Sequence, residues 1–162
     1  MEFIFLNNKP DDGHEYIQML GLQNGNRVYK WVRRAYITGH ESLDKHKAFI
    51  SAANGASGTL TSDGAVRMIS TPLTGAPGVG ATQTFLTVGS FDTEGEAAAA
   101  LKYIRSKFAR ALLGVLKVTQ HNTSEKWKYV PLQNFTPTSD IDWEKSIPEI
   151  DRQLYKKYGL DE

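Results

Sequence analysis

Thr93-Glu94-Gly95-Glu96-Ala97-Ala98-Ala99-Ala100-Leu101-Lys102-Tyr103-Ile104-Arg105-Ser106-Lys107-Phe108-Ala109-Arg110 decides the fold. Thr93 and Glu96 stand at capping-box spacing: the hydroxyl can accept from the Glu96 backbone N–H while the carboxylate reaches back to the cap. Four alanines follow, the residues that lose least on entering a helix. Ala97, Leu101, Ile104, Phe108, Ala111, Leu112 and Val115 then recur at helical spacing. This pattern predicts one long amphipathic helix. Its apolar stripe faces a core, Lys102, Arg110 and Lys117 lie nearly opposite, and Arg105 and Lys107 lie nearer the borders.

Upstream of this helix, Gln83–Gly89 has strand character. Before that, residues 54–81 hold six of the fourteen glycines together with Pro72 and Pro77, which predicts a long loop with a hairpin around Val66–Ser70. A loop of that length inside a compact domain is usually functional or disordered. Lys47–Ala52 and Arg27–Ile37 read as strands, the latter from its aromatic and β-branched content. Phe3–Leu6 reads as a short strand, and residues 7–13 as a turn region. Downstream, Trp127–Val130 is a strand candidate stopped by Pro131. Ser146-Ile147-Pro148-Glu149 is a second capping box opening a terminal helix through Ile150, Leu154 and Tyr158, closed by Gly159. Trp31, Trp127, Trp143, Phe85 and Phe108 alternate with apolar neighbours and read as core. The expectation is an α+β fold: a mixed or antiparallel sheet with one long amphipathic helix packed on it, a long Gly-rich loop and a short C-terminal helix. It is a single domain over 1–162, with a core at about 27–135 and an acidic helical tail over 139–162.

The composition is that of an ordinary globular chain, 40% hydrophobic and 23% charged over 162 residues. The absence of cysteine excludes disulfides and thiolate metal sites and fits a reducing cytoplasm. The acidic start has no signal-peptide pattern, and no apolar run approaches the roughly 20 residues of a membrane helix, so no membrane partner is expected. The net charge of +1 hides an uneven distribution. Arg27, Lys30, Arg33, Arg34, Lys45 and Lys47 cluster in one stretch, and Lys102, Arg105, Lys107, Arg110, Lys117, Lys126 and Lys128 in another. Acidic residues gather at the two ends. A basic middle can engage a polyanion even in a near-neutral chain.

A search for catalytic chemistry finds no complete site. Gly75-Ala76-Pro77-Gly78-Val79-Gly80 precedes a strand rather than a helix, so the context for cofactor binding is missing. No two prolines are adjacent, which removes the Pro-Pro motif of adenine methylation. A metal-dependent nuclease of the common type needs an acidic–x–Lys triplet beside another carboxylate; Asp11 could supply the latter, but no such triplet exists. His40 and His46 lack a third clear ligand. Asp140 and Asp142 suit turn and helix-start chemistry.

Gly89–Ala97, Leu101–Arg110, Leu116–Gln120, Val130–Thr136 and Ser139–Leu160 together resemble the C-terminal region of type II restriction–modification proteins that carry an adenine-specific DNA methyltransferase domain, some fused to an endonuclease. The resemblance is strong from about Thr71 onward and weaker over 36–70, where Asn54-Gly55 resembles a loop motif; it does not place residues 1–35. It implies a non-catalytic target-recognition region of a larger bacterial protein. The catalytic motifs would lie upstream, so the chain itself takes no cofactor, while the parent uses S-adenosylmethionine, and magnesium where a nuclease is attached. The partners implied are double-stranded DNA and the upstream methyltransferase domain.

Charge and resemblance then assign roles. Lys102, Arg105, Arg110, Lys117 and Lys126 are expected to contact phosphates, which sets affinity and register but not sequence. Asn54, Ser57, Arg67 and Gln83, with Gln120 and Asn122, are the candidates for reading base edges. Two alternatives are a restriction endonuclease fragment with a metal site of scattered carboxylates, and an interaction domain docking onto a methyltransferase subunit.

Overall fold

The structure is a computed structural model, and it describes residues 4–53, 70–116 and 124–160. The hairpin Val66–Ser70 expected within the Gly-rich stretch lies largely outside them.

The chain opens its first sheet with a hairpin, β1 (Tyr16–Gln23) and β2 (Asn26–Arg33), paired antiparallel along their full length. Asn24 and Gly25 join them with φ of 51° and 78°. A two-residue turn with both residues left-handed matches the strand twist, and Asn-Gly is the pair that tolerates it. Strand β1 was not anticipated, although this dipeptide was its signal. Leu6 forms only an isolated bridge to Trp31, not the expected strand. The strand read over Arg27–Ile37 ends early, in a 3-10 turn over Arg34–Tyr36.

A second sheet is built from β3 (His46–Ser51), β4 (Leu73–Gly75) and β6 (Phe85–Phe91), antiparallel with β3 central. Strand β5 (Val79–Ala81) returns to pair parallel with β1, making the first sheet mixed. The fold is α+β, with two three-stranded sheets where one was expected.

Strand β3 joins the layers through its alternation. Ala48 and Ile50 face Ile104, with Leu86, Val88 and Trp127 packed around them. Phe49 points the other way, onto Leu20 and Phe85. Lys47 lies on the Phe49 side and is 1% exposed. Its ammonium donates to the carbonyls of Leu43 and Val79, both at 2.8 Å, tying the 41–44 turn and β5 to the second sheet. Burial pulls this ammonium down from 10.5 to about 8.

The predicted long helix is two helices. Helix α1 (Glu94–Arg105) carries the expected capping box, and α2 (Lys107–Leu116) follows after Ser106 alone. Ser106 is extended, with φ −61° and ψ 151°. It is fully buried, and its hydroxyl accepts from the Ala109 N–H at 3.1 Å. The other two amides opening α2, Lys107 and Phe108, donate to the Asp151 carboxylate at 3.1 and 3.0 Å. Ser at a cap competes well with continued helix, and a carboxylate on orphan amides stabilises the new start. The break changes the helical phase. Phe108, Ala109 and Leu113 are buried on α2, and Ala97, Ala99, Ala100, Tyr103 and Ile104 on α1, whereas Ala111 of the predicted stripe is exposed.

Residues 127–130 are not a strand. Helix α3 (Ser124–Trp127) ends there in a turn, with the Val130 N–H on the Trp127 carbonyl. Helix α4 (Ile147–Tyr158) forms as read, closed by left-handed Gly159. The Glu149 carboxylate accepts from the Ser146 amide and hydroxyl, which holds it below the usual range.

The core does not stop near residue 135. Ile141, Trp143, Ile150 and Leu154 are buried with Ala99, Tyr103, Phe108 and Ala109. Among the described residues, the acidic side chains of the tail lie on its outer side except Asp151, so charge density there misled the expected boundary. Tyr103 sits within an aromatic group with Phe135, Trp143 and Phe108, at 5.9, 6.0 and 6.4 Å between ring centres. Its hydroxyl donates to the Pro131 carbonyl, and burial pushes the phenol up to about 12.

Asp151→Ala leaves two amides without acceptors and is expected to lower stability by about 2–4 kcal/mol in urea denaturation, with Asp151→Asn losing less. Lys47 has the opposite sign to a salt-bridged lysine. Below about 8 the cost of burying its charge is fully present, and it is relieved as pH rises from about 8 to the ordinary 10.5. Stability attributable to Lys47 therefore rises across that window, measured as the difference between wild type and Lys47→Met at each pH.

Candidate nucleic-acid interface

The residues expected to contact phosphates separate into two groups. Lys102 is half-buried, and its ammonium donates to the carbonyls of Trp143 at 2.6 Å and Lys145 at 3.3 Å. It holds α1 to the segment before α4, so most of its hydrogen-bonding capacity serves the fold. Lys126 lies half-buried on α3, which packs on α2. Arg105 and Arg110 are exposed, and so is Lys107 between them. Arg110 spends its Nε–H on the Ser106 carbonyl at 3.3 Å, which steadies the guanidinium and leaves its terminal nitrogens outward. Among the described residues, no carboxylate lies within ion-pair distance of Arg105, Lys107 or Arg110.

The helix break positions these cations. Arg105 closes α1, Lys107 opens α2, and Arg110 follows on the same face of α2 as Lys107. The capped start of α2 adds the positive end of a helix dipole, which the buried Asp151 carboxylate offsets from the inner side. Lys117 follows α2 directly in sequence but lies outside the described residues, as do Gln120 and Asn122.

Of the base-reading candidates, Asn54, Ser57 and Arg67 lie outside the described residues. Gln83 is exposed at the tip of the turn between β5 and β6, where the Phe85 N–H returns to the Thr82 carbonyl at 3.0 Å and the Thr82 and Thr84 hydroxyls bond at 2.8 Å. The described residues on either side of 54–69 converge. Ser70 donates to the Ser51 hydroxyl at 2.6 Å, and Arg27 donates to the Thr71 carbonyl at 2.5 Å. The Arg27 guanidinium also lies over the Phe85 ring at 5.8 Å. Arg27 thus holds the downstream flank of that stretch to β2 and β6, and the Ser70–Ser51 bond ties the two flanks together. In the sequence Arg27 stands at the start of a strand and within a basic cluster, and its long-range partners leave no local signal.

The histidines are separate. His40 caps the 41–44 turn through its ring nitrogen and the Ser42 N–H at 3.2 Å, while His46 begins β3. His40, Glu41 and Ser42 line one side of an open groove of about 510 Å³, with Thr87, Gly89 and Ser90 of β6 opposite. No helix among the described residues is long and apolar enough to cross a membrane.

Tyr103, Phe108, Phe135, Trp143 and Tyr158 make ring contacts in the helical core. Comparison with family models, curated proteins and solved structures finds no match for this chain.

Proposed function

We propose that this chain is a sequence-specific DNA-recognition module of a bacterial type II restriction–modification protein, acting in the cytoplasm beside an adenine-specific methyltransferase domain and non-catalytic by itself. The observation that carries the reading is the row of exposed cations across the α1–α2 joint, Arg105, Lys107 and Arg110, without carboxylate partners among the described residues. Cations left unpaired on rigid helices suit a polyanion, because their positions are set before binding and releasing counterions from DNA favours the complex. Such contacts place the module on the duplex; they do not read sequence. Base reading falls to the polar stretch whose flanks meet at the Ser70–Ser51 bond, with Arg27 on its downstream side, and to Gln83. S-adenosylmethionine, and magnesium where a nuclease is attached, belong to the parent protein in this reading.

A second reading, docking onto a methyltransferase subunit, has one observation behind it. Leu132 is 92% exposed beside Tyr129 at 59%, an unusual apolar presentation. Both roles are compatible in one module.

Duplex binding measured by fluorescence anisotropy across a salt series tests the first reading. Affinity is expected to fall steeply with salt. Arg105→Glu and Arg110→Glu should each weaken binding on all sequences, and neutral replacements at these positions should each flatten the salt slope by about one contact's worth. Lys102→Met should lower stability more than duplex affinity. Salt-independent binding, or wild-type duplex affinity in both the Arg105→Glu and Arg110→Glu proteins, contradicts the reading.

A further inference from the structure

Strand β2 alternates in a way the helical interface does not use. Arg27, Tyr29, Trp31 and Arg33 recur every second residue and so share one face of the first sheet. Their cross-strand partners on that face are Leu22, Leu20, Gln18 and Tyr16. Leu20 is fully buried against Phe49 and Phe85, so the second sheet covers β1 there and leaves the β2 side chains at the margin. Tyr29 is 45% exposed although it pairs with Leu20.

Trp31 was expected in the core. It is half-buried, belongs to none of the buried clusters, and has the Lys9 ammonium over its ring at 5.7 Å. Arg33 lies over the Tyr36 ring at 5.8 Å, and Tyr36 is 60% exposed. Cations thus sit over Trp31 and Tyr36 on this margin. Asp12 is the carboxylate bonded to this face, and its oxygens accept from the Tyr16 hydroxyl at 2.9 Å and the His14 amide at 3.1 Å. The charge complements an anion, and the rings offer flat apolar faces.

We infer that the Tyr29–Trp31 margin of β2, with Lys9, Arg33 and Tyr36, is a second contact surface that takes single-stranded DNA by base stacking. Tyr29 and Trp31 are two residues apart on the strand, so their Cα atoms lie roughly 7 Å apart. Stacking on aromatics beside cations is the usual physics of single-strand binding and tolerates any base. A duplex hides its base faces, so this surface selects unpaired nucleotides where the helix cations select backbone. The inference rests on the DNA reading above for its choice of polymer.

The test is anisotropy with a labelled short oligothymidylate, run beside a labelled duplex. The full chain is expected to bind the oligothymidylate. Tyr29→Ala and Trp31→Ala should each weaken that binding about 5- to 100-fold, while Tyr29→Phe retains it. Duplex affinity should stay at the wild-type value in all three, and Arg105→Glu should show the converse pattern. Tyr29 is half in solvent, so its variants decide the matter if Trp31→Ala does not fold. No oligothymidylate binding by the wild type, or no loss in Tyr29→Ala, overturns the inference. Parallel loss of single-strand and duplex binding in Tyr29→Ala also overturns it, by making the two surfaces one. Oligothymidylate binding without duplex binding would instead overturn the duplex reading alone.

Discussion

The Asp151 carboxylate, accepting from the Lys107 and Phe108 amides, is the contact on which the helical half of the molecule depends. It comes from α4 and caps α2, so it couples the last helix of the chain to the middle of the cation-bearing segment. It is 4% exposed, which means its charge is compensated by hydrogen bonds rather than by water. Ser106 supplies the third amide acceptor and the extended backbone that turns the helix. Without this joint the apolar residues of α1 and α2 would follow one stripe, and Phe108 would not reach Tyr158, whose ring it stacks on at 4.9 Å. The joint also brings Arg105, Lys107 and Arg110 together at a bend.

The other half depends on β3. Its alternation sends Ala48 and Ile50 toward α1 and Phe49 and Lys47 toward the first sheet. Gly75, paired with Lys47 in β4, leaves room for the Phe49 ring where any side chain would collide with it. A lysine at this junction exchanges hydration for two carbonyls. Its long stem fills apolar space while its head satisfies groups from two separate elements. Helices, second sheet and first sheet are therefore stacked through one six-residue strand.

Much of this order is legible in the amino-acid sequence, and the failures have physical causes. The Thr93 capping box, the strand at Lys47–Ala52 and the α4 helix with its Gly159 stop are local signals, and they hold within a residue or two. The break at Ser106 was hidden because the capping carboxylate lies far along the chain in α4, where no periodicity reports it. Strand β1 was readable from Asn24-Gly25 but its own stretch alternates poorly, since Leu20 and Gly21 are both buried. Strands β4 and β5 are too short to leave a pattern. Of the site, the exposed Arg105 and Arg110 follow from helical position, whereas the diversion of Lys102 to backbone carbonyls requires knowing where Trp143 sits. The half-exposure of Trp31 likewise depends on what the second sheet fails to cover.

Arg105, Lys107 and Arg110, which have no carboxylate partner among the described residues, are held at a rigid joint, and the proposed function draws on their charge. Backbone amide chemical shifts during titration with duplex DNA address this claim residue by residue. The account predicts that the largest changes map to Arg105–Arg110, with little change at the Lys45–Asp92 ion pair across β3 and β6. Changes confined to other surfaces, with Arg105, Lys107 and Arg110 unmoved at saturating duplex, would contradict it.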